Sequence, residues 1–348
     1  MQSTHAVRKA LLVAGLCAVA ACAGHPAVQL DPVQLPLDEA AHADPLEWWY
    51  YTGHLVSTDA PARHYGFEVT VFQLGQLVGG HGRMQLGHFA LIDLADQSYH
   101  PHEMLGPILP HHDGPASGFD FDFHHGAWKV EGSEGKDHVA VSAGDQAVDL
   151  HLEADKPAAL LGDHGIVDYG GVVDLAYYSR TRMEVTGTVR DGDAPHPVRG
   201  MAWMDHQWGS ADMKDFQWKW FSAQLDDGRE VILFQVWRRK PHEMIRTYAA
   251  LVDSAGHLAD LPVQGLRIDE QDPWSAGRHA SYPTSWGVDV PDAGLQLQFH
   301  AQLPQQRFKT RGLVQLGPVY WEGSCTVLLK QADQEVPGVG FVEYAGFE

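Results

Sequence analysis

The chain has 348 residues, 44% apolar and 20% charged, an ordinary globular balance in a chain longer than one hydrophobic core usually serves, so two domains are expected. A formal net charge of −21 argues against a nucleic-acid partner, because such binding rests on Lys and Arg neutralising phosphates. The 36 glycines and 20 prolines announce many turns, and the 11 tryptophans fall mostly in strand-like runs.

At the N-terminus, Arg8-Lys9 precede an apolar run from Ala10 to Ala21 that is too short to span a bilayer and is laid out as a secretory signal. It ends in Val19-Ala20-Ala21-Cys22, which resembles the bacterial lipoprotein box, where the cysteine is lipidated and becomes the mature N-terminus. Ordinary cleavage after an A-x-A-like site is the alternative. With Ala23 and not Asp in the next position, the resemblance points to a periplasm-facing lipoprotein of the outer membrane. Residues 1–21 are thus expected to be a signal peptide, with Cys22 as the lipidation site and membrane contact through that anchor. Their removal leaves 22 basic against 45 acidic residues, a formal −23. Cys17 would leave with the signal, so Cys325 has no disulfide partner. Residues 22–44, rich in Ala, Pro and His without a period, read as a tether.

From Trp48 onward the apolar residues recur with period two. Leu295-Gln296-Leu297-Gln298-Phe299-His300-Ala301-Gln302-Leu303 is apolar at every odd position, a strand with one dry and one wet face; Ala147 to Ala154 alternates likewise. Asp191-Gly192, Asp226-Asp227-Gly228, Ser254-Ala255-Gly256 and Pro291-Asp292-Ala293-Gly294 punctuate such runs as turns, and no stretch shows a convincing helical period. The fold class is all-β.

The chain also repeats itself. Glu47–Leu55 matches Gln217–Leu225, and Glu68–Gln73 matches Glu230–Gln235. The alternating runs about Leu150 and Leu297 pair, as do Gly171–Leu175 with Gly312–Leu316, Glu184–Val189 with Glu322–Val327, and Gly200–Asp205 with Gly338–Glu343. The order is kept and the offset only shrinks, as shorter loops in a second copy would make it. Two tandem antiparallel β-barrel domains related by internal duplication are expected, over residues 45–210 and 211–348, each of a size to hold a side-chain core or one ligand-sized cavity.

No G-x-S-x-G, H-E-x-x-H, C-x-x-C or P-loop occurs, so the corresponding hydrolases, zincins and nucleotide enzymes lose support. His100, His102, His111, His112, His124 and His125 lack the ligand spacing of a structural zinc site and read as solvated loop histidines, so no metal is expected. Trp48-Trp49-Tyr50-Tyr51 alternates along a strand and serves either as core packing or as the wall of a ligand cavity; Trp203, Trp208, Trp218, Trp220 and Phe221 add more rings than a core alone requires. Asp205 follows a run that should be buried, between Trp203 and Trp208. A carboxyl in such a site holds its proton toward neutral pH, the specification of a general acid. The other reading is a structural hydrogen bond or a pair with an Arg such as Arg182. Glu343 takes the matching place in the second copy, where the structural reading is the stronger.

Glu47–Leu55, His88-Phe89-Ala90-Leu91-Ile92-Asp93, Tyr178-Ser179-Arg180, Gly200–Gly209 and Tyr320-Trp321-Glu322-Gly323 together resemble the AttH-like/carotenoid 1,2-hydratase family of tandem lipocalin-like proteins, over essentially the whole mature chain. The resemblance implies a pair of lipocalin-like barrels with a hydrophobic ligand in or between them and no metal or organic cofactor. It implies that Asp205, in the aromatic-x-Asp of Trp203-Met204-Asp205, protonates an isoprenoid double bond. It nominates Trp48, Trp49, Tyr50, His54, His88, Tyr178, His206, Trp208, Trp218, Trp220, Trp321 and Glu343 for ligand contact. The chain departs from the hydratases in carrying Trp203 where they have tyrosine, and in lacking their His and Trp near Leu175-Ala176-Tyr177-Tyr178. Its lipoprotein signal resembles the AttH-like branch, associated with ABC-type export. The first functional expectation is therefore a lipid-anchored envelope protein that holds a hydrophobic small molecule or lipid, accessory to an ABC transporter permease. The alternative is a cofactor-independent hydratase or hydrolase with Asp205 as acid; a scaffolding role is a third.

Overall fold

A computed structural model describes residues 30–75, 83–109, 121–192, 194–278, 280–309 and 319–347. The signal, Cys22, His111, His112 and the segment 312–316 lie outside the described residues. Among the described residues the chain is β throughout, apart from three single 3-10 turns at Leu37–Glu39, Met213–Asp215 and Pro291–Ala293.

The first half contributes β1 (Leu46–Ser57), β2 (His64–Gly75), β3 (Arg83–Asp93), β4 (Ser98–Leu109), β5 (Phe121–His125), β6 (Trp128–Ser133), β7 (Lys136–Ala143), β8 (Gln146–Ala154), β9 (Ala159–Leu160), β10 (Ile166–Asp168), β11 (Asp174–Asp191) and β12 (Pro195–Gly209). They form one antiparallel sheet in the order β4-β3-β2-β1-β12-β11-β8-β7-β6-β5, with β9 and β10 both on β11. The second half contributes β13 (Phe216–Leu225), β14 (Glu230–Arg238), β15 (Glu243–Val252), β16 (Leu258–Asp260), β17 (Arg267–Gln271), β18 (Trp274–Ser275), β19 (Ser281–Tyr282), β20 (Ser285–Val290), β21 (Leu295–Ala301), β22 (Arg307–Phe308), β23 (Tyr320–Gln331) and β24 (Gln334–Ala345). Their main sheet runs β16-β15-β14-β13-β24-β23-β21-β20-β17. In both halves the first strand pairs with the second on one side and with the last on the other. Each half is an antiparallel barrel or half-barrel of the same connectivity.

The pairing register fixes the repeat. Asp205 lies opposite Tyr50 across β1–β12, and Glu343 lies opposite Trp220 across β13–β24. Leu150 and Leu297 are equivalent too, through Gly187 and Leu329. One sequence pairing slips. The repeat in the sequence pairs Glu184 with Glu322, but the residue facing Asp205 is Ser179 and the residue facing Glu343 is Glu322. The cause is a bulge in β11 between Arg180 and Met183, whose extra residues shift the spacing of the two copies.

Period-two alternation sorts most of the buried side chains into three large cores, beside a small fourth cluster of Ala90, Phe308, Tyr320 and Ala345. Trp49, Tyr51, Phe67, Val69 and Phe89 fill the first half, while Phe221, Leu233, Trp286 and Phe299 fill the second. The opposite faces of the same strands, carrying Tyr50, Trp203, Trp220, Phe234 and Tyr177, pack against each other between the halves. The seam is polar at one end, where Glu230, fully buried, binds Lys156 (2.7 Å), Arg182 and Thr181 across it. Arg182 is therefore committed to Glu230 and pairs with neither Asp205 nor Glu343.

Two expectations need correction. Residues 30–44 do not hang as a tether: Val33 and Ala40 are buried, Glu39 pairs with Arg180, and His42 stacks on Trp208 at 4.0 Å. Apolar and acidic side chains within the Ala/Pro-rich stretch supply that docking. His100 and His102 belong to strand β4, and His124 and His125 to β5, so these four are not loop residues.

Candidate active site

Between the halves lies a cavity of about 120 Å³, open at one end. Its walls are written in the sequence as alternate residues, because every second side chain of a strand shares one face. Leu46, Trp48 and Tyr50 descend one wall from β1; Phe216, Trp218 and Trp220 descend the other from β13. Phe72, Leu175 and Val236 join Leu46 and Phe216 toward the mouth, near the strand ends. Deeper down, the same faces turn polar. Asp205 and Gln207 come from β12, Tyr177 from β11, Glu68 and Thr70 from β2, Tyr320 and Glu322 from β23, and Glu343 from β24. No Lys, Arg or His lines the cavity among the described residues.

Asp205 is 4% exposed. One oxygen accepts hydrogen bonds from Ser179 Oγ (2.5 Å) and Trp203 Nε1 (2.6 Å), and the other from Tyr177 OH (2.6 Å). Trp220 Nε1 in turn donates to Tyr177 OH at 3.1 Å, which ties the acid to the second half. Burial pushes its pKa up to about 6, although the three donors pull the other way by favouring the carboxylate. Asp205 thus bears a proton at mildly acidic pH and can give it to a guest in the cavity.

Three more carboxyls face the same space. Trp218 Nε1 donates to Glu343 Oε2 at 2.8 Å, Tyr50 OH donates to Glu322, and Tyr320 OH donates to Glu68. Burial pushes Glu343 up to about 8 and Glu68 up to about 7, and burial followed by the charges of Glu68 and Glu343 raises Glu322 strongly.

Of the residues nominated from sequence, the structure gathers Asp205, Trp48, Tyr50, Trp218, Trp220 and Glu343 on the cavity wall. Trp203 lies behind Asp205, 1% exposed, and orients it through the indole N–H. His88 stands one layer back, its Nδ1 2.7 Å from Tyr320 OH. His54 is half-buried at the seam beside Ser324 and Phe341, where desolvation depresses its pKa to about 3. Trp49, Tyr178, His206 and Trp208 point the other way, into the first core, and Trp321 points into the second, so these five do not touch the cavity. Their strand parity is the reason. The reading from sequence missed Glu68, Tyr177, Ser179, Tyr320 and Glu322; parity with Tyr50 and Asp205 along paired strands is the signal that finds them once the pairing is known.

Glu47, His42 and His206 form a separate cluster whose ligand atoms lie within 4.8 Å of one another, a set that could hold a metal ion. Glu47 accepts the His42 backbone N–H (2.9 Å), His42 Nδ1 (2.8 Å) and His206 Nε2 (2.9 Å). Despite burial, the bonds from His206 and His42 keep Glu47 below the usual carboxylate range, and its partners Asp38 and Glu47 outweigh burial to raise His42 to about 9. The cluster works here as a charged clasp that fastens residues 38–42 to the first half.

Duplicated half-barrels, packed face to face around an acid-floored apolar cavity, define the class of protein. The chain belongs to the AttH-like family, whose profile matches residues 26–347. A kievitone hydratase of Fusarium solani subsp. phaseoli is 21% identical over 213 residues, 59% of this chain and 60% of that one, so the match spans under two thirds of that relative. Among solved structures, an AttH of Nitrosomonas europaea is 26% identical, with a TM-score of 0.78 over 93% of this chain and 100% of its own. Kievitone hydratase from Nectria haematococca (15% identity, TM-score 0.71, 90% and 93% coverage) and CghA with Sch210972 (12%, 0.63, 93% and 95%) share the fold.

Proposed function

We propose that the protein is a cofactor-independent hydratase-type enzyme that adds water to a double bond of a largely apolar molecule, with Asp205 as general acid. One observation carries the reading. A buried carboxyl, fixed by Tyr177, Ser179 and Trp203 and raised by burial to about 6, lies on the floor of a cavity whose upper walls are apolar. Protonation of an alkene is slow because it creates a carbocation, and the faces of Trp218, Trp220 and Tyr50 offer π-density to such a cation in a dry site. A hydratase among the relatives supports the same chemistry.

The test uses a panel of prenylated and polyene alkenes, kievitone among them, in isotopically labelled water. Wild type yields an alcohol carrying labelled oxygen. Asp205→Asn, shown by circular dichroism to be folded, loses turnover by about three orders of magnitude or more. Equal turnover in that variant removes Asp205 as the acid.

The apolar mouth favours a second reading, in which the cavity carries a lipid at the envelope, with Cys22 as the membrane anchor and an ABC transporter permease as the recipient. Native mass spectrometry separates the two: a carrier purifies with extractable lipid and keeps it in Asp205→Asn.

A further inference from the structure

The rim of the cavity runs against the charge of the protein. The chain has 45 acidic against 24 basic residues, and carboxyls line the cavity floor. Yet the wall built by the second half ends in arginine. Along β14 every second residue faces the cavity, Phe234 and then Val236, and the next in that series is Arg238. Phe216 lies directly opposite Arg238 and Trp218 opposite Val236, and residues so paired leave a sheet on the same face. Arg238 therefore stands beside Phe216, one step outward from Val236. Arg246 of β15 is the partner of Val236 on the other side and shares that face; its guanidinium lies over the Tyr248 ring at 5.8 Å. Burial raises the pKa of the wall residue Tyr169, while its bond with Gln207 and the charge of Arg246 act to lower it, so that charge is close to the wall.

Neither arginine has an ionic partner among the described residues, whereas Arg63 pairs with Asp93, Arg182 with Glu230 and Arg267 with Asp289. Arg246 Nε is buried with no hydrogen-bond partner, a costly state for a charged donor unless an acceptor arrives. The acids at this end are exposed: Glu243, opposite Arg238, and Asp212 and Asp215 around the turn that holds Met213. Arg239 N–H donates to the Asp215 carbonyl at 2.8 Å, which brings the β14–β15 turn against that one, so exposed Lys240 and Lys214 add positive charge at the same end.

We infer that Arg238 and Arg246 form an anion-binding rim, and that the cavity takes an amphipathic anion whose carboxylate or phosphate stays at the mouth while its apolar part lies between the Trp48 and Trp218 walls. The inference rests on the reading of the cavity as a site for a largely apolar molecule, and deepens it by naming that molecule's polar end. A guanidinium presents paired N–H donors that match two oxygens of such a head, and it is more weakly hydrated than an ammonium, which suits an apolar wall. The floor carboxyls repel a second anion, so the head is held outward and the carbon skeleton meets Asp205.

The test needs no turnover. Binding of decyl phosphate and 1-decanol, each below its micelle concentration, is read from tryptophan fluorescence at about pH 7 and about 0.15 M salt. Wild type is expected to bind the phosphate at least about tenfold more tightly than the alcohol, although the net charge of the protein opposes it. Arg238→Gln and Arg246→Gln should each weaken the phosphate at least about fivefold and leave the alcohol within about twofold, which shows that the cavity is intact. Arg238→Lys, which keeps the charge, should recover part of the loss. Equal affinity for the two probes in wild type, or phosphate binding unchanged in both glutamine variants, overturns the inference. A second arm uses vesicles of phosphatidylcholine and phosphatidylglycerol in equal parts. Sedimentation of wild type with these vesicles, lost in the glutamine variants and without tight binding of free decyl phosphate, assigns the rim to a bilayer surface and overturns the inference too. Loss of hydration in Asp205→Asn is scored separately, so the acid and the rim can fall independently.

Discussion

Asp205 and Glu343 are one residue twice: each is the partner of the aromatic ring two places past the tryptophan of its half's first strand, Tyr50 in one case and Trp220 in the other. Their surroundings have diverged. Asp205 accepts three hydrogen bonds and sits near 6, whereas Glu343 accepts one and sits near 8. Duplication thus put two acids of different strength on the wall of one cavity, and the stronger of them is the one held by three donors.

Ser179 is the largest of the hydrogen-bonding influences that restrain Asp205. In Ser179→Ala the carboxylate loses one donor, so the acid form persists to higher pH. The alkaline limb of the pH–rate profile should move up by about 0.5 to 1 pH unit. An unmoved limb would mean that another group limits the rate at high pH.

The buried acids also tie stability to pH. Glu343 and Asp205 have folded pKa values raised above those of the unfolded chain, so the folded state binds more protons between about pH 4 and 8. Their stabilising protonation is complete below the unfolded pKa and is lost as pH rises through about 6 for Asp205 and about 8 for Glu343. For Asp205 the loss is about 3 kcal/mol. Melting temperature should therefore fall between about pH 5 and 9, and fall less in Glu343→Gln, which carries no proton to lose. Parallel curves for the two proteins would contradict the assignment.

Phe216 lines the cavity and offers a guest only dispersion and burial. Phe216→Ala should weaken binding by about 1 to 2 kcal/mol, roughly five- to thirtyfold in KM, with kcat and the pH limb nearly unchanged. A matching fall in kcat would place the reacting end of the substrate near the mouth, far from Asp205.

Much of this was open to reading in the chain itself. Period-two alternation gave the all-β class, the repeated Trp-bearing strands gave the duplication, and the apolar run around Asp205 gave a buried acid. The wall residues split according to parity: Trp48 and Tyr50 face the cavity, and Trp49 faces the core, which alternation states but does not label as inside or outside. Glu68 and Glu322 could not be placed because their position depends on strand pairings between distant segments and on the β11 bulge, which a count along the sequence does not see. The docking of residues 30–44 was hidden for a similar reason, since Glu39 finds Arg180 only in the folded sheet.

The same bulge yields the last prediction. By stepping out of register between Arg180 and Met183, β11 sends Thr181 and Arg182 across the seam to Glu230, where Lys156 joins them. Glu230 is fully buried and its carboxylate compensates two cations, so its removal strands both. Glu230→Ala should cost about 3 to 5 kcal/mol, far more than an exposed ion pair would. Glu230→Gln keeps acceptor capacity but not charge and should cost less. Because the clasp holds the halves together beside the cavity that both build, urea unfolding of Glu230→Ala should lose its single transition and show the halves melting apart. A variant that keeps one transition at the wild-type midpoint would show that the apolar seam of Trp203, Trp220 and Phe234 holds the halves without the ionic clasp.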